Sequence, residues 1–195
     1  MANADRPNGL RPVKLLSGTP YNGQMTKFYT DTDCFLGDIM IQDTASVTGG
    51  SDGAYQGITR ATSATATLAI GVVVGWEADP DNLTRPYHAG SSTLCVYVAT
   101  DPNIIYECQG DGTATITTAA DVGLNFDIVV TAGNTTTGLS NMEVLEGSGA
   151  VTAATPVKLV GLVDRADNEV GLANQKMLVT LNTHVYNADV GSLGV

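Results

Sequence analysis

Beyond residue 25 the chain never runs apolar for long. Its longest such stretch, Leu68-Ala69-Ile70-Gly71-Val72-Val73-Val74, is brief, and clusters of Gly, Asp, Asn, Ser and Pro interrupt every other. That cadence leaves room for short strands and turns but not for long helices. Strands are predicted at Thr26 to Tyr29, Asp38 to Gln42, Thr67 to Trp76, Thr93 to Ala99, Ile104 to Gln109, Asn125 to Thr131, Val157 to Val163 and Met177 to Tyr186. Turns are predicted at 49–53, 79–82, 101–103, 109–112, 133–134 and 146–149. One helical turn is predicted at Thr118 to Gly123, capped by Thr118 and ended by Gly123. The expected fold is all-β, a single β-barrel or sandwich-like domain.

Side-chain periodicity says which strands are half buried. Leu94, Val96 and Val98 alternate with Cys95 and Tyr97, and Met177, Val179 and Leu181 alternate with Leu178, Thr180 and Asn182. The run from Ala69 to Trp76 is apolar on both faces, which predicts a central strand with Trp76 buried. Its glycines mark a bulge or a close backbone approach. Composition supports strands over helices: charged residues make up only 15%, and Gly (22 residues), Thr and Val take the place of helix-favouring Glu, Lys and Gln.

The first thirty residues differ from the rest in charge. Arg6, Arg11, Lys14 and Lys27 face a single acid, Asp5, a balance of +3, whereas the remainder carries −14 of the chain's net −11. Prolines follow both Arg6 and Arg11 and bias the chain toward extended geometry. Residues 1–24 are therefore expected to form an extended N-terminal arm on an all-β body of residues 25–195, with residues 2–20 disordered until a partner orders them. Candidate partner-binding residues are Arg6, Pro7, Asn8, Leu10, Arg11, Pro12, Val13, Leu15 and Leu16, the arginines to pair with carboxylates and the apolar side chains to be buried.

Several function classes fit poorly. An acidic body with pI near 4.2 lacks the Lys and Arg that phosphate recognition requires, so no nucleic-acid partner is expected. No apolar run approaches the roughly 20 residues of a membrane-spanning helix, and residues 1–7 lack the apolar core of a signal peptide. Cys34, Cys95 and Cys108 are odd in number and widely spaced, which predicts free, buried thiols in a reducing compartment. The two histidines, His88 and His184, lie near no nucleophile elbow, and both are read as structural or exposed. The acids of Asp31-Thr32-Asp33, Asp79-Pro80-Asp81 and Asp164 to Glu169 match no calcium-loop pattern and are read as turn caps. Paired-carboxylate glycosidase chemistry would call for aromatic platforms, but Trp76 is the only tryptophan. No catalytic, metal or cofactor site is expected.

The arm from Ala4 to Val13 with Leu16-Ser17-Gly18-Thr19-Pro20-Tyr21, the central stretch Val98 to Gln109, and the ending Lys176 to His184 together resemble the decoration, or cement, proteins of tailed-bacteriophage capsids. The resemblance implies a β-rich homotrimer, without enzymatic activity, that binds the major capsid protein on the outer surface of an icosahedral shell and stabilises it. The protein would be made in the host bacterial cytoplasm and end in the virion. The alternative is a receptor- or carbohydrate-binding β module of a phage tail, which would present exposed aromatics.

Overall fold

The computed structural model describes residues 3–43, 48–49, 55–62 and 68–187. Its strands in chain order are β1 (Arg11–Leu15), β2 (Thr26–Tyr29), β3 (Ile39–Gln42), β4 (Thr48–Gly49), β5 (Tyr55–Gln56), β6 (Ile58–Arg60), β7 (Ala69–Trp76), β8 (Cys95–Ala99), β9 (Ile104–Gln109), β10 (Asn125–Phe126), β11 (Ile128–Val129), β12 (Glu143–Val144), β13 (Val157–Leu162) and β14 (Lys176–Leu181). The fold is all-β, as its punctuation predicts. The only α-helix among the described residues is one turn, α1 (Thr118–Asp121). Its N-cap is Thr117 rather than Thr118, and the Thr117 N–H donates to Asp121 Oδ2 at 2.6 Å. Of the predicted turn at 49–53, residues 50–53 lie outside the described residues, as does Thr67 at the start of one predicted strand.

Two five-stranded antiparallel sheets make up the body, ordered β1-β9-β14-β13-β10 and β2-β8-β7-β3-β6; β11 pairs with β12 and β4 with β5. One apolar cluster fills the space between the large sheets. Ile39, Ala69, Val72 and Ala99 meet Ile104, Tyr106, Leu159, Met177, Val179 and Leu181 there. The opposite face of the second sheet holds a separate cluster of Phe28, Met40, Ile58, Ile70, Val73, Val96 and Val98, with a side chain from each of its five strands. This sheet curls until its edges meet, and Tyr29 at the end of β2 bridges Gly57 just before β6. The result is a sandwich in which one layer is rolled.

That arrangement explains why β7 is apolar on both faces: it is the middle strand of the rolled sheet, with one face in each cluster. Gly71 lies so close to β8 that a Cβ there would sit 2.1 Å from the Ala99 carbonyl oxygen, and the register with β8 shifts between Val73 and Gly75. The predicted strand from Asn125 to Thr131 divides instead into β10 and β11. Asp127, at the break, donates its N–H to Ser148 Oγ at 2.8 Å rather than to a neighbouring strand.

The arm is extended but not detached. Arg11–Leu15 forms the edge strand of the first sheet, paired with β9, and Leu10 is 1% exposed within the inter-sheet core. For residues 3–20, this corrects the expectation of an arm disordered until a partner orders it. Burying a side chain such as Leu10 is worth about 1.5–3 kcal/mol, and the backbone pairs found on β9 offset the ordering cost further. Pro12 is tolerated because β1 is an edge strand, with a bulge between Pro12 and Lys14. The outer side of β1 is closed by its own following turn: Leu15 N–H donates to Thr19 O (2.8 Å) and Tyr21 N–H to Val13 O (3.0 Å).

Candidate functional site

Three attachments fix the arm to the body. Asn3 Nδ2 donates to the carbonyls of Glu169 (2.9 Å) and Ala173 (3.1 Å), and Asn3 Oδ1 accepts from Glu169 N–H (2.7 Å). Gln109, buried at the end of β9, accepts from Arg6 N–H through Oε1 (3.1 Å). Its Nε2 donates to both Asp5 Oδ1 and Glu143 Oε1, each at 3.2 Å. At the third attachment Leu10 N–H donates to Gly37 O (3.0 Å). The preceding Gly9 has φ +67° and packs so tightly that a Cβ would lie 2.5 Å from the same oxygen.

This anchoring sorts the candidate partner-binding residues. Leu10 is buried; Leu15 packs against the inter-sheet core; Pro7, Asn8 and Pro12 are half-buried. Arg6 and Arg11 are exposed, as are Val13 at 42% and Leu16 at 53%. Leu10 and Leu15 are therefore committed to the chain's own core, and the exposed set is Arg6, Arg11, Val13 and Leu16, with Lys14 half-buried on β1.

The electrostatics set the arm's cations apart. Lys27, Arg60, Arg85, Arg165 and Lys176 each hold a carboxylate of the body: Glu77, Asp38, Asp79, Glu107 and Asp167 respectively. Arg6, Arg11 and Lys14 hold no carboxylate among the described residues. Arg11 lies opposite Glu107 in the β1–β9 register, but both Glu107 oxygens accept from the Arg165 guanidinium, each at 3.1 Å. The acidic body thus leaves the arm's positive charge available to something outside it.

Beneath the arm lies a group of carboxyls, Asp5, Asp111, Glu143 and Glu146. Burial, and then the charges of Asp5 and Asp111, push the Glu143 carboxyl up to about 7, while the Gln109 hydrogen bond acts against the rise. Glu146 is also raised, chiefly by burial. Gln109 bridges Asp5 and Glu143, an arrangement that no sequence pattern announced; the only signal was a polar residue closing the apolar strand Ile104-Ile105-Tyr106-Glu107-Cys108-Gln109.

The other candidates are placed as follows. His184 is fully buried, with Nδ1 accepting from Tyr186 N–H (3.1 Å), and His88 is 2% exposed, with Nε2 on Thr30 O (3.3 Å); burial pulls both imidazoles below their ordinary pKa. The acidic turns brace backbone: Asp33 Oδ1 accepts from Gly90 N–H (2.8 Å), Asp79 Oδ1 from Asp81 N–H (3.0 Å) and Asp101 Oδ1 from Asn103 N–H (2.8 Å). All three cysteines are free and buried. Trp76, expected in the core, is half-buried at the end of β7 and lines a recess with Tyr87 and Arg85.

Compared with protein-family models, curated proteins and solved structures, the chain matches none of them, so its functional reading rests on its own residues.

Proposed function

We propose that this protein is a structural, non-enzymatic virion component that decorates the outside of an icosahedral phage capsid, binds the major capsid protein through its N-terminal arm and stabilises the shell. The observation that carries this reading is the row of arm cations, Arg6, Arg11 and Lys14. They have no carboxylate partner among the described residues; Arg11 and Lys14 lie with exposed Val13 on the strand paired to β9, and Arg6 precedes it where the arm meets Gln109. A clamped arm presents its contacts preorganised, so little conformational entropy is lost on docking. The remaining negative charge suits the solvent side of a shell rather than its nucleic-acid side. The resemblance of the arm, the centre and the C-terminal strand to decoration proteins supports a homotrimer as the binding form. Three arms on one trimer raise the effective concentration of the second and third contacts.

The test is to add purified protein to undecorated capsids, measure co-sedimentation and image the particles by electron microscopy. Saturable binding with new density on the outer surface is expected. Failure to co-sediment, or density only on the inner surface or the tail, would overturn the reading.

A further inference from the structure

Strands β7 and β8 are adjacent and antiparallel, a connection that about two to five residues can close. Yet the whole of 77–94 runs between them. The ends of this loop are pinned together: Glu77 N–H donates to Cys95 O, and Cys95 N–H donates to Glu77 Oε2, both at 2.9 Å. The surplus chain encloses a recess of about 200 Å³, with Trp76, Leu83 and Tyr87 among its apolar walls. That volume is below the roughly 300–1,000 Å³ of pockets for drug-sized ligands and suits a single small ring.

The walls are held in place before any ligand arrives. Tyr87 stacks on Phe35 with centroids 5.1 Å apart and planes 18° from parallel. Arg85 lies over the Tyr87 ring and donates to Asp79 Oδ2 at 3.1 Å. His88 is tied through its backbone N–H and C=O to Cys34, at 3.0 and 2.9 Å.

The hydrogen-bonding capacity left over indicates the ligand. Both Glu77 oxygens are taken, by Lys27 and by Cys95 N–H, and both Asp79 oxygens by Arg85 and Asp81 N–H. Lys27 and Arg85 already neutralise the two carboxylates, which disfavours a cation. Donors remain on Arg85, on Asn82 Nδ2 and on the Ser92 hydroxyl, whose oxygen already accepts from Leu94 N–H. The Thr30 carbonyl can only accept, so His88 carries its proton on Nε2, and Nδ1 is left as a bare acceptor on a residue that lines the recess. A site offering several donors, several acceptors and an aromatic wall matches groups that both accept and donate around an apolar ring face, as sugar hydroxyls do. The neighbouring carboxylates and the net charge of −11 disfavour an anion.

We propose that this recess binds one neutral pyranose ring, packed on Trp76 beside the edge of Tyr87 and hydrogen-bonded by Asn82, Arg85, His88 and Ser92. The site is separate from the arm, and its existence does not depend on capsid attachment.

Trp76 is the only tryptophan and lines the recess, so its fluorescence responds to a ligand there. The experiment titrates the full chain with glucose, galactose, mannose and N-acetylglucosamine, with sodium acetate as the anionic control. Arg85→Ala, Asn82→Ala and Ser92→Ala are run in parallel, and thermal melting serves as the folding check. A free sugar and the end of a glycan share this chemistry. Comparing the responding hexose with its methyl glycoside and with an oligosaccharide ending in it separates the two sources.

The expected result is a saturable Trp76 response to at least one sugar, with millimolar affinity, weakened on the order of tenfold by Arg85→Ala and less by the other two variants. If Arg85→Ala melts early, the two milder variants carry the test. No saturable response to any sugar, a response only to acetate, or a sugar response unchanged in the folded variants overturns the proposal.

Discussion

Leu10→Ala separates a docked arm from a hanging one. Leu10 is 1% exposed and sits in the cluster between the sheets, so truncation leaves a cavity where the arm enters the core. Leu→Ala at such sites costs about 2–5 kcal/mol, and for a domain of this size each kcal/mol shifts Tm by about 2–4 °C. The expected fall is therefore about 4–20 °C. Leu16→Ala serves as the internal control. That side chain is 53% exposed, and its loss should change stability by no more than about 0.5 kcal/mol. The assay is urea unfolding followed by far-ultraviolet circular dichroism, with thermal melts alongside. If Leu10→Ala proves as silent as Leu16→Ala, the arm does not lie on the body in solution, and the preorganisation attributed to it is wrong.

Other consequences follow from the same packing. Gly71→Ala would set a Cβ 2.1 Å from the Ala99 carbonyl oxygen, so β7 and β8 must part; a loss of at least about 2 kcal/mol in urea melts is expected. Buried His88 and His184 titrate below their unfolded value of about 6.5, so the unfolded chain takes up protons first and their contribution to stability falls as pH drops below that value. Glu143 acts in the opposite sense: with its carboxyl at about 7 in the folded protein, its favourable contribution is complete below the unfolded carboxyl value and is lost as pH rises through 7. Glu143→Gln, which keeps an acceptor for Gln109, should therefore steepen the loss of stability on acidification from neutrality, as measured by urea midpoints at stepped pH. Burial pushes the Cys34 and Cys108 thiols up to about 12, so iodoacetamide near neutral pH should leave them unmodified in folded protein and label all three cysteines after denaturation, a difference read by mass spectrometry.

Most of the body was legible because its strands obey a period of two between strong turn signals. The doubly apolar β7, with its close-approach glycine, could be placed at the centre of a sheet from those residues alone. The arm was legible as extended but not as docked. Its prolines and charges pointed to an extended segment apart from the body, and nothing local reveals that β9 offers an edge or that Gly37 leaves room for Gly9. The same limit hid the Gln109 bridge and the recess of 77–94, which depend on partners distant in sequence. Trp76 misled for a related reason: the strand it ends is central, but the side chain lies where the loop departs.

The proposed capsid attachment depends on the arm's unpaired cations. The most direct measurement is co-sedimentation of an Arg6→Gln, Arg11→Gln, Lys14→Gln variant with undecorated capsids, alongside its thermal melt. Loss of decoration is expected, with a melting temperature close to that of the parent, because these side chains hold no ion pair within the described body. A variant that still decorates capsids like the parent would contradict it.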